Sequence, residues 1–380
     1  MKNTTRIPLP SPSPGTERSL IVHRYGQAGA RPKAYLQAAL HADEHPGLLV
    51  QHHLLRLLDS EAAAHRIRGE IVVVPMANPI GLGQHLNGYL VGRFDFDGTG
   101  NFNRDFPDLT DLVRRRIEGR LGKNPQSNAA LIRQALLAVL DQQGPRYKEA
   151  NVLRTALLKL SIDADYVFDL HCDSEALLHL YASHHHRDTA LELAAQIGTA
   201  VVLLEEEAGG NPFDEANAGP WWKLRIQLPD AAIPLGCFST TVELRGQTDV
   251  NDRYAEADAA NLVRFLKRHG VIDGDPGPLP KIAYVEAPLE GVDILTAPAS
   301  GLLAYRKELG ERVEKGETVV DLVDLTCADP TKARTPLRAQ TSGILFTRLA
   351  NKLVRPGQSV CKIAGSDKLS YRIPGKLLEN

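Results

Sequence analysis

Apolar positions along the chain change their period several times, and the changes mark out the elements. Residues 34–40 read as a strand that ends at His41. Pro46 follows at a place suited to the first turn of a helix. Leu48, Leu49, Leu54, Leu55 and Leu58 then form one stripe at helical spacing. Ile71-Val72-Val73-Val74 is unbroken apolar, the pattern of a strand covered on both faces. Runs at 19–25, 165–171, 201–204 and 237–244 predict further strands, and 189–197 and 254–269 further helices. Between 111 and about 160 the pattern is helical, with breaks at 122–127 and at Gly144-Pro145. This alternation predicts an α/β fold with a parallel or mixed sheet.

The irregular stretches divide the chain. Asn78-Pro79 opens a Gly-rich loop through Gly92 and Gly100 to Pro107, and loops of that length are usually functional. Residues 205–220 are acidic and Gly-rich, which predicts a loop near the mouth of a site. Asp273-Gly274-Asp275-Pro276-Gly277-Pro278-Leu279-Pro280 reads as a linker. Beyond it Ser300-Gly301-Leu302-Leu303 is repeated as Ser342-Gly343-Ile344-Leu345, and Val313-Glu314-Lys315-Gly316 as Val354-Arg355-Pro356-Gly357. The repeat predicts two β-units packed face to face. The expected organisation is an extended arm at 1–18, a catalytic α/β domain at 19–272, a linker at 273–280 and a β-domain at 281–380.

Composition narrows the partners. The 380 residues carry a formal charge of −2, so no global field attracts nucleic acid or an anionic membrane. The four cysteines show no disulfide framework, which points to a reducing compartment. The N-terminus has no apolar signal core, and no apolar run is long enough to span a membrane. A cytoplasmic protein is expected.

Candidate chemistry gathers where strands end. His41 and Glu44 form H-x-x-E at a strand-to-helix junction, either a solvated polar turn or two ligands of one metal ion. His171 ends another strand and supplies a third. Two histidines, one glutamate and an open position make the pattern of a hydrolytic zinc. Asp169, on the same face as His171, is either a core aspartate or the acceptor that fixes the imidazole. Glu243 is either a proton shuttle or a strand-end glutamate paired to Arg245. Asn103-Arg104 offers a fork for a substrate carboxylate. Arg93, in the same loop, would add a charge beside the scissile carbonyl. The triple His184-His185-His186 reads as a solvated tract.

In order, His41-Ala42-Asp43-Glu44, Asn101-Phe102-Asn103-Arg104-Asp105-Phe106, Asp169-Leu170-His171 and Thr241-Val242-Glu243 resemble the motifs of the succinylglutamate desuccinylase/aspartoacylase family, within the zinc carboxypeptidase-like clan. The resemblance runs from about Tyr35 to Arg245. It implies an α/β/α sandwich with a mixed central sheet and one zinc per chain on His41, Glu44 and His171. It also implies Glu243 as general acid/base and a carboxylate held by Asn103 and Arg104. Cys172-Asp173-Ser174 departs from the threonine-containing sequence common in that family, which bears on the substrate. The C-terminal repeat resembles a barrel-sandwich hybrid, without the Met-Lys pattern of a carrier around Lys332. The expected activity is zinc-dependent hydrolysis of an N-acyl amino acid, by a protein that is allowed to be a homo-oligomer. The alternatives are a carboxypeptidase acting on short peptides and a non-catalytic binding or carrier protein.

Overall fold

The computed structural model describes residues 2–143 and 147–376. The break read at Gly144-Pro145 lies outside the described residues. Nine strands form the central sheet: β1 (Lys2–Pro8), β2 (Ser19–Tyr25), β3 (Lys33–Ala38), β4 (Glu70–Val74), β5 (Tyr166–Asp173), β6 (His179–Ser183), β7 (Val201–Glu205), β8 (Phe238–Gly246) and β9 (Val285–Pro288). Their spatial order is β1-β2-β4-β3-β5-β8-β6-β7-β9. Strands β4, β3, β5 and β8 are parallel. Strands β6, β7 and β9 run together, against β8. The sheet is therefore mixed.

Among the described residues, seven α-helices cover it: α1 (Pro46–Ala63), α2 (Thr110–Ile117), α3 (Pro125–Asp141), α4 (Glu149–Ser161), α5 (Arg187–Ile197), α6 (Phe213–Gln227) and α7 (Asp252–Arg268). Leu36, Ile71, Val73 and Phe168 pack with α1, α5 and α7. Tyr35, Val72, Val74 and Val167 pack with α2, α3, α4 and α6 on the other face. Successive side chains point to opposite faces, and both faces are covered, so 71–74 had to be apolar throughout.

Three elements differ from the sequence reading. Residues 2–8, read as part of an extended arm, form edge strand β1 against β2, with Lys2 opposite Tyr25 and Pro8 opposite Ser19. Its side chains are nearly all exposed, so it is held mainly by backbone bonds, with Lys2 reaching Asp59 and Thr4 reaching His23, and no apolar alternation marks it. Residues 213–227, partly inside the expected loop, are helix α6. Asp214 and Glu215 lie in its first turn, where acidic side chains meet the positive end of the helix dipole. Residues 285–288, expected in the β-domain, form β9 and pair with β7.

The C-terminal strands are β10 (Val292–Thr296), β11 (Gly301–Tyr305), β12 (Arg312–Val313), β13 (Thr318–Val323), β14 (Arg334–Arg338), β15 (Gly343–Arg348), β16 (Leu353–Val354) and β17 (Ser359–Gly365). The repeat sets β11-β12-β13 against β15-β16-β17. Short β12 pairs with β15, however, and β16 pairs with β11. Each half lends a strand to the other, so the halves interlock instead of stacking as separate units. They share a core of Leu303, Val320, Leu322, Leu345, Val360 and Ile363. Glu175-Ala176, just past β5, pairs with β15 and ties these sheets to the strand that carries His171. Among the described residues no helix is long and apolar enough to cross a membrane.

Candidate metal centre and its pocket

His41 is aimed by a bend in the chain just past β3. Ala39 takes a left-handed φ of 58° there, a conformation that costs a non-glycine residue energy and persists where the surroundings enforce it. Two contacts do so. Asn78 Nδ2 donates to Leu40 O at 2.9 Å, and Ala42 N donates to Gly92 O at 3.0 Å. A Cβ on Gly92 would stand 2.5 Å from Ala42 Cβ and 2.9 Å from Asp43 N. Gly92→Ala is therefore expected to displace the His41–Glu44 turn and weaken metal binding, measured by metal titration beside a thermal melt. Unchanged metal affinity would show that the turn tolerates the shift.

His41, Glu44 and His171 are all buried, and one ligand atom from each lies within 4.8 Å of the others. Both imidazoles turn Nδ1 toward Glu44: His41 Nδ1 is 3.0 Å from Oε1 and His171 Nδ1 is 2.7 Å from Oε2. The rings sit edge-on with centroids 5.0 Å apart. Each Nε2 faces an oxygen behind it. His41 Nε2 is 2.7 Å from Asn101 Oδ1, and His171 Nε2 is 2.8 Å from Asp169 Oδ2, close but not aligned as a hydrogen bond. Asp169 Oδ1 accepts from Gln37 Nε2, and Gln37 Oε1 accepts from Tyr35 Oη. Metal-bound histidines characteristically have such an acceptor on their second nitrogen. Two imidazoles and one carboxylate, converging and braced from behind, fit a zinc ion.

The charges agree. Burial opposes ionisation of Glu44, but the two imidazoles outweigh it and hold its carboxyl well below the usual range. Burial likewise opposes protonation of His171, yet Asp169 and Glu44 together raise its affinity well above the ordinary value. Burial and Arg93 lower that of His41. A buried carboxylate held ionised between two imidazoles has the field that also attracts a cation.

Glu243 sits on β8 directly across from His171 on β5. Arg245 does not pair with it. A bulge follows Glu243, Arg245 takes a φ of 67°, and its guanidinium turns to Asp258 at 2.8 and 3.1 Å. Glu243 Oε2 is left buried without a hydrogen bond. Burial and the Glu44 carboxylate push its pKa up to about 8. The structure thus removes the ion-pair reading of Glu243 and leaves a carboxyl able to hold a proton.

The long loop folds into two small hairpins, at 85–90 and 94–101. It places Arg93 Nη1 2.9 Å from Glu44 Oε1 and 3.1 Å from His41 Nδ1. Asn103 Oδ1 accepts from Phe213 N at the start of α6, at 2.8 Å. Arg104 donates one bond, to Asn103 O at 2.6 Å, and has no carboxylate within ion-pair distance among the described residues. Burial and Arg93 lower its pKa. His184, His185 and His186 take no part. They form a short turn in which His185 stacks on Trp222 at 5.0 Å.

All seven predicted site residues line one cavity of about 610 Å³. Several supporting residues had no role readable from the sequence. Asn101 braces His41 directly, and Gln37 braces His171 through Asp169, by contacts that only folding creates. Lys362, on β17, reaches Asp173 at 2.6 Å and closes the pocket from the C-terminal sheets. A cavity of about 720 Å³ at the far end of β5 is lined by Arg31, Arg133, Asp163 and Asp165, whose charges pair with one another.

The description "Succinylglutamate desuccinylase/Aspartoacylase catalytic domain" matches residues 30–136. No curated protein matches the chain. Among solved structures, a protein described as of the succinylglutamate desuccinylase/aspartoacylase family from Shewanella amazonensis SB2B is 25% identical, with a TM-score of 0.84 over 95% of this chain and 98% of that one. A second, from Shewanella frigidimarina NCIMB 400, is 21% identical with a TM-score of 0.86 over 96% and 97%. The product-bound ectoine utilization protein EutE (DoeB) from Ruegeria pomeroyi is 17% identical, with a TM-score of 0.65 over 96% and 95%. Residues 30–136 thus match the catalytic domain of the succinylglutamate desuccinylase/aspartoacylase family, and the fold likeness to proteins described as of that family extends over nearly the whole chain.

Proposed function

We propose that the protein is a zinc-dependent amidohydrolase that removes the acyl group from an N-acyl amino acid or a related small N-acyl carboxylate. The observation that carries this reading is the convergence of His41 Nδ1, Glu44 and His171 Nδ1 beside the unpartnered carboxyl of Glu243. One zinc per chain would be held by those three residues. Zinc supplies Lewis acidity there: it makes water a nucleophile at neutral pH and polarises a carbonyl oxygen. Glu243 takes the proton of the attacking water and passes it to the leaving nitrogen. Arg104, whose guanidinium lacks a carboxylate partner, holds a substrate carboxylate by its fork. Asn103, fixed through its Oδ1, presents its amide N–H beside it. Arg93 adds positive charge next to the carbonyl. We also infer a carboxypeptidase-like α/β/α core, a barrel-sandwich-hybrid-like C-terminal region and a cytoplasmic location.

The carboxypeptidase reading uses the same residues and differs in the space it needs. Lys362 and Arg348 wall the pocket from the C-terminal sheets, which favours a small substrate over a peptide. Activity of metal-replete protein on acetyl, succinyl and longer N-acyl amino acids, set against blocked peptides, separates the two. Hydrolysis of the peptides alone would overturn the deacylase reading. Arg104→Lys is expected to raise KM about tenfold or more with a smaller change in kcat, because lysine cannot reproduce the two-pronged bond. An unchanged KM would move the carboxylate site elsewhere.

A further inference from the structure

Beyond β17 the chain runs back toward the loop between β7 and α6. Leu369 N donates to Glu290 O at 2.9 Å, and Tyr371 Oη donates to Asp293 Oδ1 at 2.6 Å. Asp293 is only 1% exposed, so the tyrosine is tied to a fixed point. Arg372 then lines the cavity, and Gly375 N donates to Glu207 O at 3.2 Å. The proposed chemistry makes no use of this segment, yet it packs on the loop that lies beside Arg104.

That loop is pinned at two places. Ala208 is buried and donates its N–H to the Glu215 carboxylate. Asn211 Nδ2 donates to Phe106 O, and Asn211 O accepts from Phe106 N at 3.2 Å. Between the pins stand Gly209 and Gly210, with φ of 110° and 72°. Glycine has the widest backbone freedom, so this pair keeps one shape only where something packs against it. Both of its sides are occupied. A Cβ on Gly209 would run into Gly375 O, and a Cβ on Gly210 would stand 2.5 Å from Arg104 Cδ. Gly210 O also accepts from Asp105 N at 2.9 Å. Gly375, the two loop glycines and the stem of Arg104 are thus stacked in series, with no other side chain between them.

We propose that residues 369–376 are a strap that positions Arg104: Gly375 bears on Gly209, Gly210 bears on the Arg104 stem, and the guanidinium is thereby aimed into the pocket. Tyr371 and Gly375 are positioning residues in this scheme and touch neither substrate nor metal. The proposal rests on the reading of Arg104 as the carboxylate fork. A fork needs both of its bonds in line with one carboxylate, so a displaced stem costs one of them. The converging ligands His41, Glu44 and His171 belong to other segments, so metal binding lies outside the reach of the strap.

Gly375→Val and Gly375→Asn make the test. A Cβ at this position meets nothing within 4 Å, so both side chains fit and the variants differ in backbone preference. At a φ of 76° asparagine is tolerated and a β-branched residue is strained. Ile373 and Pro374 are exposed, so valine lifts the strap without opening the core. Two readouts are taken on the zinc-loaded full chain: hydrogen exchange of the Asp105 and Phe106 amides, and steady-state kinetics on N-acetyl and N-succinyl amino acids. In Gly375→Val both amides are expected to exchange about tenfold faster. KM should rise about tenfold, the worth of one charged hydrogen bond, with kcat within about twofold of wild type. Zinc content should not change. Gly375→Asn should stay near wild type in both readouts. Tyr371→Phe, which cuts the tie to Asp293 without touching the loop, should move both in the same direction by less. Unchanged exchange in Gly375→Val, faster exchange with unchanged KM, or equal damage from valine and asparagine overturns the proposal. If wild type hydrolyses none of these amides, the deacylase reading fails and exchange alone decides the strap: a difference between valine and asparagine sustains it, and no difference ends it. If the amides are hydrolysed and neither readout responds to Gly375→Val, the strap fails and the deacylase reading stands.

Discussion

Glu243→Gln is expected to keep its zinc and its fold while turnover falls by at least about a hundredfold, the usual cost of losing a general base. Glutamine keeps the size of the side chain and removes the basic oxygen. The fold should survive because no described residue bonds to Glu243 Oε2, so no partner is stranded by the change. The metal should stay because Glu243 is outside the converging set of His41, Glu44 and His171. Substrate affinity should change less than turnover, since Arg104 and Asn103 are untouched. Burial and the Glu44 carboxylate push the Glu243 pKa up to about 8. A dication beside it draws that value back down, so the base form is present at neutral pH. The decisive measurement pairs metal analysis with steady-state kinetics on one preparation. Loss of zinc would make Glu243 a ligand, and wild-type turnover would end its role as shuttle.

His171→Ala should remove most bound zinc, from about one ion per chain to a small residue, and activity with it. The ring is buried at 2% exposure and its Nδ1 meets Glu44 directly, so alanine leaves only two of the three converging protein ligands. Asp169→Asn separates bracing from binding. It leaves all three ligands in place and replaces the carboxylate behind His171 Nε2, so affinity should fall by ~10–100-fold without abolishing occupancy. Chelation should lower the melting temperature of wild type, because an ion bound only by the folded state stabilises it by mass action. Lower stabilisation is expected for Asp169→Asn and almost none for His171→Ala. Full zinc occupancy in His171→Ala would show the third ligand to be another residue.

The sequence alone carried the fold class and the order of the main strands and helices. Residues 71–74 could be read because a strand covered on both faces must be apolar at every position, and α1 because its leucines repeat with the helical turn. The candidate ligands were legible for a related reason. His41 follows an apolar strand and His171 lies near the end of another, and strand ends of a mixed sheet are where side chains from distant segments meet.

What pattern could not give was anything decided by partners far along the chain. Edge strand β1 is polar and held mainly by backbone bonds, so it left no periodic trace. The acidic start of α6 reads in sequence as a loop near the mouth of a site, and only its buried Phe213, Trp221 and Leu224 reveal a helix packed on the core. The repeat was visible, but the exchange of β12 and β16 between its halves depends on hydrogen bonds between segments about thirty to fifty residues apart. Glu243 offers the sharpest case. In sequence it stands two residues from Arg245, on what alternation makes the same face. A bulge and one left-handed residue turn that arginine to Asp258, and the carboxyl is left free. Sequence determined which residue types stood at the strand ends, because burial dictates composition locally. Which of them stayed unpartnered, as Glu243 did at the metal centre, was settled by tertiary structure, because a hydrogen bond made or withheld depends on atoms that only the fold brings within about 3 Å.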